Sequence, residues 1–202
     1  MSVTVFVEGG GDHPRTKTAC RKAFRMFFER ALGNGPKPRI TASGSRNEAY
    51  RDFCNARQHD AETFSLLLVD SEDPVEPGRS AGAHLRDRDH WTEPLPDEMV
   101  HLMVQCMESW FLADKPAVAE YYGQGFQESA LPRNPRIEEI LKVDVLNGLN
   151  QAARLTTKEN YLKAKHGFEI LERIDVQAVR QRSPRAEGFF QILHARLNAP
   201  CP

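Results

Sequence analysis

Short apolar runs alternate with glycine-, proline- and charge-rich punctuation along the first part of the chain. Val3–Val7 is a β-branched run that ends in Glu8 and three glycines, the pattern of a strand buried on both faces that enters a tight turn. Thr16–Leu32 places Ala19, Ala23, Phe24, Phe27, Phe28 and Ala31 at helical spacing, and Gly33-Asn34-Gly35-Pro36 stops it. Arg39–Ala42 predicts a second strand, and Asn47–Gln58, carrying Ala49, Tyr50, Phe53, Cys54 and Arg57, a second helix. Phe64–Val69 (FSLLLV) is the clearest strand and runs into Asp70-Ser71-Glu72-Asp73, where Pro74 stops it. Val75–Glu98 is rich in Pro, Gly, Arg and Asp and is long for a plain connection, which predicts a flap over a site. Val100–Cys106 predicts a fourth strand and Met107–Tyr122 the helix after it. Strands and helices that alternate in this way predict an α/β fold, a mostly parallel four-stranded sheet flanked by helices.

From Gly123 the pattern changes. Asn134-Pro135, Ile137–Leu141, Val145–Ala153, Tyr161–Ile174 and Val176–Arg182 predict short helices, and Ala186–Leu197 a terminal one. The expected organisation is an α/β core over residues 1–122 with a C-terminal helical extension, 123–202, packed on it as one compact unit, because no flexible linker divides the two.

Composition narrows the classes. The chain has 202 residues, 40% hydrophobic and 27% charged, an ordinary globular balance able to bury a core. A formal net charge of -1 means that any nucleic-acid contact comes from a local patch and not from a global field. Cys20, Cys54, Cys106 and Cys201 are widely spaced and form no CxxC pair, which argues against a thiolate zinc site; the first three read as reduced core residues. The N-terminus, MSVTVFVEGGG, enters structure at once and lacks the basic and long apolar regions of a signal peptide. No stretch reaches the roughly 18 apolar residues of a membrane span, so the expectation is a cytoplasmic protein with no membrane partner.

The candidate chemistry lies at two strand ends. Glu8-Gly9-Gly10-Gly11-Asp12 puts a carboxylate at the carboxyl end of a buried first strand, where open α/β sheets bind ligands. The competing reading, a glycine turn that cradles a nucleotide phosphate, lacks both GxGxxG and a Walker lysine. Asp70-Ser71-Glu72-Asp73 packs three acids into four residues after an apolar strand. Left unpaired they repel, and Mg2+ or Mn2+, a hard cation that accepts carboxylates, relieves this; the blander alternative is a solvated acidic turn with Asp70 as a helix cap.

Three further groups are weaker. Glu108, in Glu108-Ser109-Trp110, is a supporting ligand or simply a first-turn acid favoured by the helix dipole. Lys158, Lys163, Lys165 and His166 form a basic cluster that can meet a phosphodiester, with Tyr161 placed to stack on a base; the alternative is a solvated helix face, with His166 ending a helix before Gly167. Arg79, His84, Arg86, Arg88 and His90 alternate with acids, and these histidines, like His101, follow no metal-binding spacing and read as structural.

A hydrophobic strand ending in Glu-Gly, then a later one ending in Asp-x-Asp, is the pattern of the Toprim fold of topoisomerases, primases and the overcoming-lysogenization-defect nucleases, which this chain resembles with Glu72 as a departure at the second acid. A closer resemblance is to small bacterial Toprim-like proteins grouped as domain-of-unknown-function family 4276. It is carried by VFVEGGGD, LLLVDSEDP, HLMVQCMESWFLAD and KENYLKAKHGFEIL, with MESWFLAD the most specific. The resemblance implies a metal-dependent phosphoryl-transfer site. Glu8 would match the Toprim glutamate as acid/base or metal ligand, and Asp70 the first aspartate of the Asp-x-Asp pair. The partner position holds Glu72, with Asp73 beside it, which leaves open which acid completes the pair. Asp12 falls where the nuclease branch carries an extra acid, which would favour two metals.

The expected function is therefore Mg2+- or Mn2+-dependent hydrolysis of a phosphodiester in DNA or RNA. Glu8, Asp12, Asp70, Glu72, Asp73 and Glu108 are the metal candidates, Glu8, Asp70 and Lys163 the catalytic ones, and Lys163, Lys165 and His166 the substrate-binding ones. Toprim-like proteins of this sort resemble the effectors of ATPase-linked phage-defence pairs. That implies an ATPase partner, which this chain, without a Walker motif, cannot itself supply. The alternatives are a non-catalytic Toprim-shaped binding or regulatory subunit and a phosphatase that uses Asp70 as nucleophile.

Overall fold

The computed structural model describes residues 2–60 and 62–199. Its centre is a four-stranded parallel sheet of β1 (Ser2–Glu8), β2 (Arg39–Gly44), β3 (Thr63–Asp70) and β4 (Val100–Met103), in the order β2-β1-β3-β4. The helices are α1 (Pro14–Leu32), α2 (Arg46–His59), α3 (Ala81–Asp89), α4 (Lys115–Tyr122), α5 (Lys142–Ala153), α6 (Phe168–Leu171), α7 (Val176–Arg182) and α8 (Pro184–Leu197). This is the expected α/β class with a C-terminal helical extension, and it is consistent with a Toprim-like fold.

The period-2 alternation of the central strands divides the core. Val3, Val5 and Val7 of β1 and Leu66 and Leu68 of β3 face α1 and the C-terminal helices in one large buried cluster. Phe24, Phe27 and Phe28 of α1 meet Trp110 from the stretch after β4 and Phe189 and Phe190 of α8 there. Phe6, Leu67 and Val69 face the other way, onto Phe53 of α2 and Leu85 of α3. Both central strands are thus covered on both faces, which explains their nearly continuous apolar sequence.

Several elements differ from the pattern-based expectation. The stretch expected to be a flap, Val75–Glu98, contains α3, capped by Ser80 and held down by buried Ala81, Leu85, Trp91 and Leu95. The fourth strand ends at Met103, three residues early. Met107–Tyr122 is not one helix: Met107–Asp114 is a 3₁₀ helix, and α4 restarts where the Asp114 side chain accepts the Ala117 N–H just past Pro116. Met107 through Ala113 are all buried, so this segment has no polar face to give it a helical period. Tyr161–Ile174 breaks into a π-helical turn, Lys163–Gly167, followed by the short α6. Asn134-Pro135 is irregular. Cys20, Cys54 and Cys106 are buried free thiols, as expected; Cys201 lies outside the described residues.

The strand order places the site. The chain steps from β1 to β2 on one side and then to β3 on the other, so the carboxyl ends of β1 and β3 flank the switch point of the sheet, where open α/β sheets form a crevice. Glu8 ends β1 and Asp70 ends β3.

Candidate metal centre

Oxygen atoms of Glu8, Asp70 and Glu72 lie within 4.8 Å of one another, a group able to hold a metal ion. Each is positioned by the backbone around it. Asp70 is fully buried; its Oδ1 accepts the Met107 N–H at 2.8 Å, and its own N–H donates to Glu8 Oε2 at 3.2 Å. Past the strand, Ser71 N–H donates to the Met103 carbonyl (3.0 Å) and Glu72 N–H to the Gln105 carbonyl (2.8 Å), extending the pairing of β3 with the β4 segment. The buried His84 ring stands 3.0 Å from the Ser71 carbonyl and braces the turn from below. Glu72 adopts a left-handed backbone, φ 66°, at a cost of about 1–2 kcal/mol for a residue with a Cβ. This left-handed turn lies within the cluster itself and accompanies the approach of the Glu72 carboxylate to those of Glu8 and Asp70.

The repulsion among these acids is relieved by three side-chain cations. Arg46 reaches both Glu8 Oε2 (3.5 Å) and Glu72 Oε1 (3.3 Å), Lys142 lies 2.5 Å from Glu72 Oε2, and Lys163 lies 3.0 Å from Asp70 Oδ2. The density of acids in the sequence suggests a metal or solvent as what relieves their repulsion; the fold also supplies cations of its own. Lys163 also stands 3.8 Å from Glu108 Oε2, and Glu108, 1% exposed, accepts the Tyr161 hydroxyl at 2.7 Å. Glu108 is thus a buried support beneath Lys163 and falls outside the triad.

Burial, reinforced by the neighbouring Asp70 charge and only partly offset by Arg46 and Lys163, pushes the Glu8 carboxyl up to about 7. Burial alone would lower the Lys163 ammonium, but the charges of Asp70 and Glu108 outweigh it and hold it well above the usual lysine range. Glu8 is therefore poised to exchange a proton near neutrality while Lys163 stays charged.

Glu8 and Lys163 also line a cleft of about 410 Å³ with the glycine loop, Asp12, His13 and Phe168. Gly10 has φ 88°, and a Cβ there would come within 2.7 Å of the Lys17 backbone, which is why this position requires glycine.

The other expected site residues are placed as follows. Asp12 is exposed at the rim of that cleft. Asp73, its side chain 63% exposed, pairs with Arg88 Nε at 2.8 Å. Neither joins the triad, so Glu72 is the acid that accompanies Asp70. Lys165 is exposed. His166 is buried, its Nδ1 accepting the Leu162 N–H at 3.1 Å among Tyr121, Tyr122 and Tyr161. Arg46 and Lys142 are absent from the sequence-based expectation. Arg46 carried a signal, since Ser45-x-x-Glu48 is a capping box that starts α2 directly after β2 and beside the end of β1. Lys142 carried none, being delivered from far along the chain by α5.

The sequence pattern of the family described as Domain of unknown function (DUF4276) matches residues 7–194. The chain belongs to that family. The match spans both strand ends and all three cations, so the whole cluster of this DUF4276 member lies within the shared region. No curated protein and no solved structure matches the chain. Among the described residues, no helix is long and apolar enough to cross a membrane.

Proposed function

We propose that this protein is a Toprim-like, divalent-metal-dependent nuclease that hydrolyses a phosphodiester of DNA or RNA. The observation that carries this reading is the convergence of Glu8, Asp70 and Glu72 on one point at the switch of the sheet. Three carboxylates, two from strand ends and one from the turn after β3, form a hard oxygen donor set suited to Mg2+ or Mn2+, which would supply Lewis-acid polarisation of the phosphate and an activated water. The triad is a single group that does not include Asp12, which favours one metal.

The chain's own residues do the rest. Glu8 holds its proton up to about 7 without the ion; with the ion bound its carboxylate would be a ligand, and an oxygen left free would take the proton of the attacking water or return one to the leaving oxygen. Lys163, half-exposed on the cleft, moves from Asp70 to the phosphate oxygens, where its charge counters what develops in the transition state. Lys142 and Arg46 offer two more cations at the same point. Asp70 is a poor phosphatase nucleophile, since it is fully buried with both oxygens engaged. An ATPase partner and a role in phage defence belong to this proposal through the Toprim resemblance.

The test is cleavage of plasmid DNA and of tRNA with Mg2+ or Mn2+, alone and with a candidate ATPase added. Loss of cleavage in Glu8→Ala and Asp70→Ala is expected, and activity unchanged in the double variant sinks the assignment. One observation favours a second reading: the three acids already have three cationic partners. In that reading the chain is a non-catalytic binding or regulatory subunit whose cluster is an ion-pair network. It predicts no Mg2+ or Mn2+ uptake by calorimetry.

A further inference from the structure

Glu72 borders a second cleft as well as the triad. This cleft, about 500 Å³, lies on the side away from the glycine loop, between the turn after β3 and the start of α5. Pro74, Leu141, Val143 and Leu146 give it apolar walls. Leu141 and Val143 are 47% and 57% exposed, large apolar side chains left in water. Gln105, 2% exposed, lines the same cleft. Its Oε1 accepts the Lys142 N–H at 2.9 Å, while its Nε2 is buried without a hydrogen-bond partner. A buried amide donor left unpaired is costly, and where one persists a partner from outside is a direct way to satisfy it. Lys142, also on this cleft, holds its ammonium against Glu72.

We infer that this second cleft is a nucleobase subsite, which receives a base of a single-stranded nucleic acid whose phosphate lies at Glu8, Asp70 and Glu72. The inference rests on the metal-dependent reading of the triad and adds the substrate class. A base is flat and apolar on its faces, which suits the Leu141, Val143 and Pro74 walls, and it carries carbonyl or ring-nitrogen acceptors that would pair the Gln105 N–H once the amide, whose Nε2 is itself buried, turns toward them. Lys142, between the apolar walls and Glu72, lies where the attached phosphate begins. A duplex keeps its base faces stacked and its edges paired, so only an unpaired strand offers both to such a pocket.

The two exposed wall positions, Leu141 and Val143, tolerate replacement. Leu141 is the N-cap of α5, where serine is favoured, and Val143 lies in the first turn. The experiment compares the wild-type chain with a Leu141→Ser/Val143→Ser variant and, as a control, Leu155→Ser, a 60% exposed leucine that does not line the cleft. Mn2+ affinity is measured by calorimetry. Binding of a short fluorescein-labelled single strand, and of an abasic strand of equal length, is measured by anisotropy with Ca2+ replacing the active metal. The double variant is expected to bind the intact strand about tenfold more weakly. Mn2+ affinity and the Leu155→Ser control should be unchanged, and the abasic strand should bind both proteins as weakly as the variant binds the intact one. The subsite is refuted, with the metal reading intact, if Mn2+ binds and the double variant holds the intact strand like wild type. It is refuted equally if wild type takes Mn2+ but binds no strand, or does not distinguish intact from abasic. If wild type takes up neither Mn2+ nor either strand, both readings fall together.

Discussion

The two acidic segments, Glu8–Asp12 after β1 and Asp70–Asp73 after β3, look alike in the sequence, and the fold treats the acids within each of them differently. In the first, Glu8 ends the strand inside the cluster and Asp12 is left at the rim. In the second, Asp70 is fully buried, strained Glu72 turns back to join it, and Asp73 points to solvent and pairs with Arg88. What separates the acids is where the backbone aims them: Glu8 and Asp70 end paired strands, Glu72 is turned back by its left-handed backbone, and acid density alone does not bring Asp12 or Asp73 into the group. The outer acids are rim charges, worth little.

The sharpest way to break this comparison is to remove the innermost acid. Asp70→Ala strands the Lys163 ammonium beside the interior and abolishes metal uptake. Lys163 is 39% exposed and keeps Glu108 at 3.8 Å, so the loss falls below that of a fully buried pair, to about 1–3 kcal/mol, a fall in melting temperature of roughly 5 °C for a chain of this size. Replacing both, as Asp70→Asn with Lys163→Met, recovers part of that loss without restoring the metal.

Glu8 gives the next largest effect, through pH. Its folded pKa, about 7, lies above the ordinary 4.5, so the native state holds its proton more tightly than the unfolded chain. Its contribution is fully present below pH 4.5 and is lost as the pH rises through about 7. Without divalent metal, Glu8→Gln should therefore gain on wild type between pH 5 and pH 8, by roughly a few degrees in melting temperature. With Mn2+ added at pH 8 the order should reverse, because only wild type keeps the full donor set.

Arg46→Ala tests the shared cation. At pH 8 the metal-free variant should melt below wild type, since Glu8 and Glu72 then face each other unscreened. Mn2+ should raise its melting temperature by more than it raises that of wild type, a competitor having been removed. The smallest effects belong to the rim: Asp12→Asn and Asp73→Asn should each change Mn2+ affinity by less than about threefold, read by calorimetry. A large loss in Asp12→Asn alone would return a second metal to the account.

The parts of the molecule that are legible in the sequence share a physical cause. β1 and β3 are covered on both faces, so their sequences are nearly continuous apolar runs, broken only by buried Thr4 and Ser65, and the acids that end them are easy to place. The bounds of α7, Val176–Arg182, can be read directly, since Asp175 caps it and Ser183 begins the next helix. Met107–Asp114 is not legible as a 3₁₀ segment, because burial all round erases periodicity. Lys163 is visible as one of a basic group, but nothing local separates it from exposed Lys165 or buried His166; only the π-helical turn, set by tertiary packing, turns one toward Asp70 and another into a tyrosine cage. The cations of the cluster come from three distant segments, so their convergence follows from topology and no local motif announces it.

The central claim is that Glu8, Asp70 and Glu72 form one metal site, and anomalous diffraction from a crystal soaked in Mn2+ tests it most directly. The account predicts a single strong peak bonded to an oxygen of each of the three at about 2.1 Å, with the Lys163 ammonium displaced from Asp70. A map with no peak there, or with Mn2+ held by Asp12 or Asp73 instead, would contradict it.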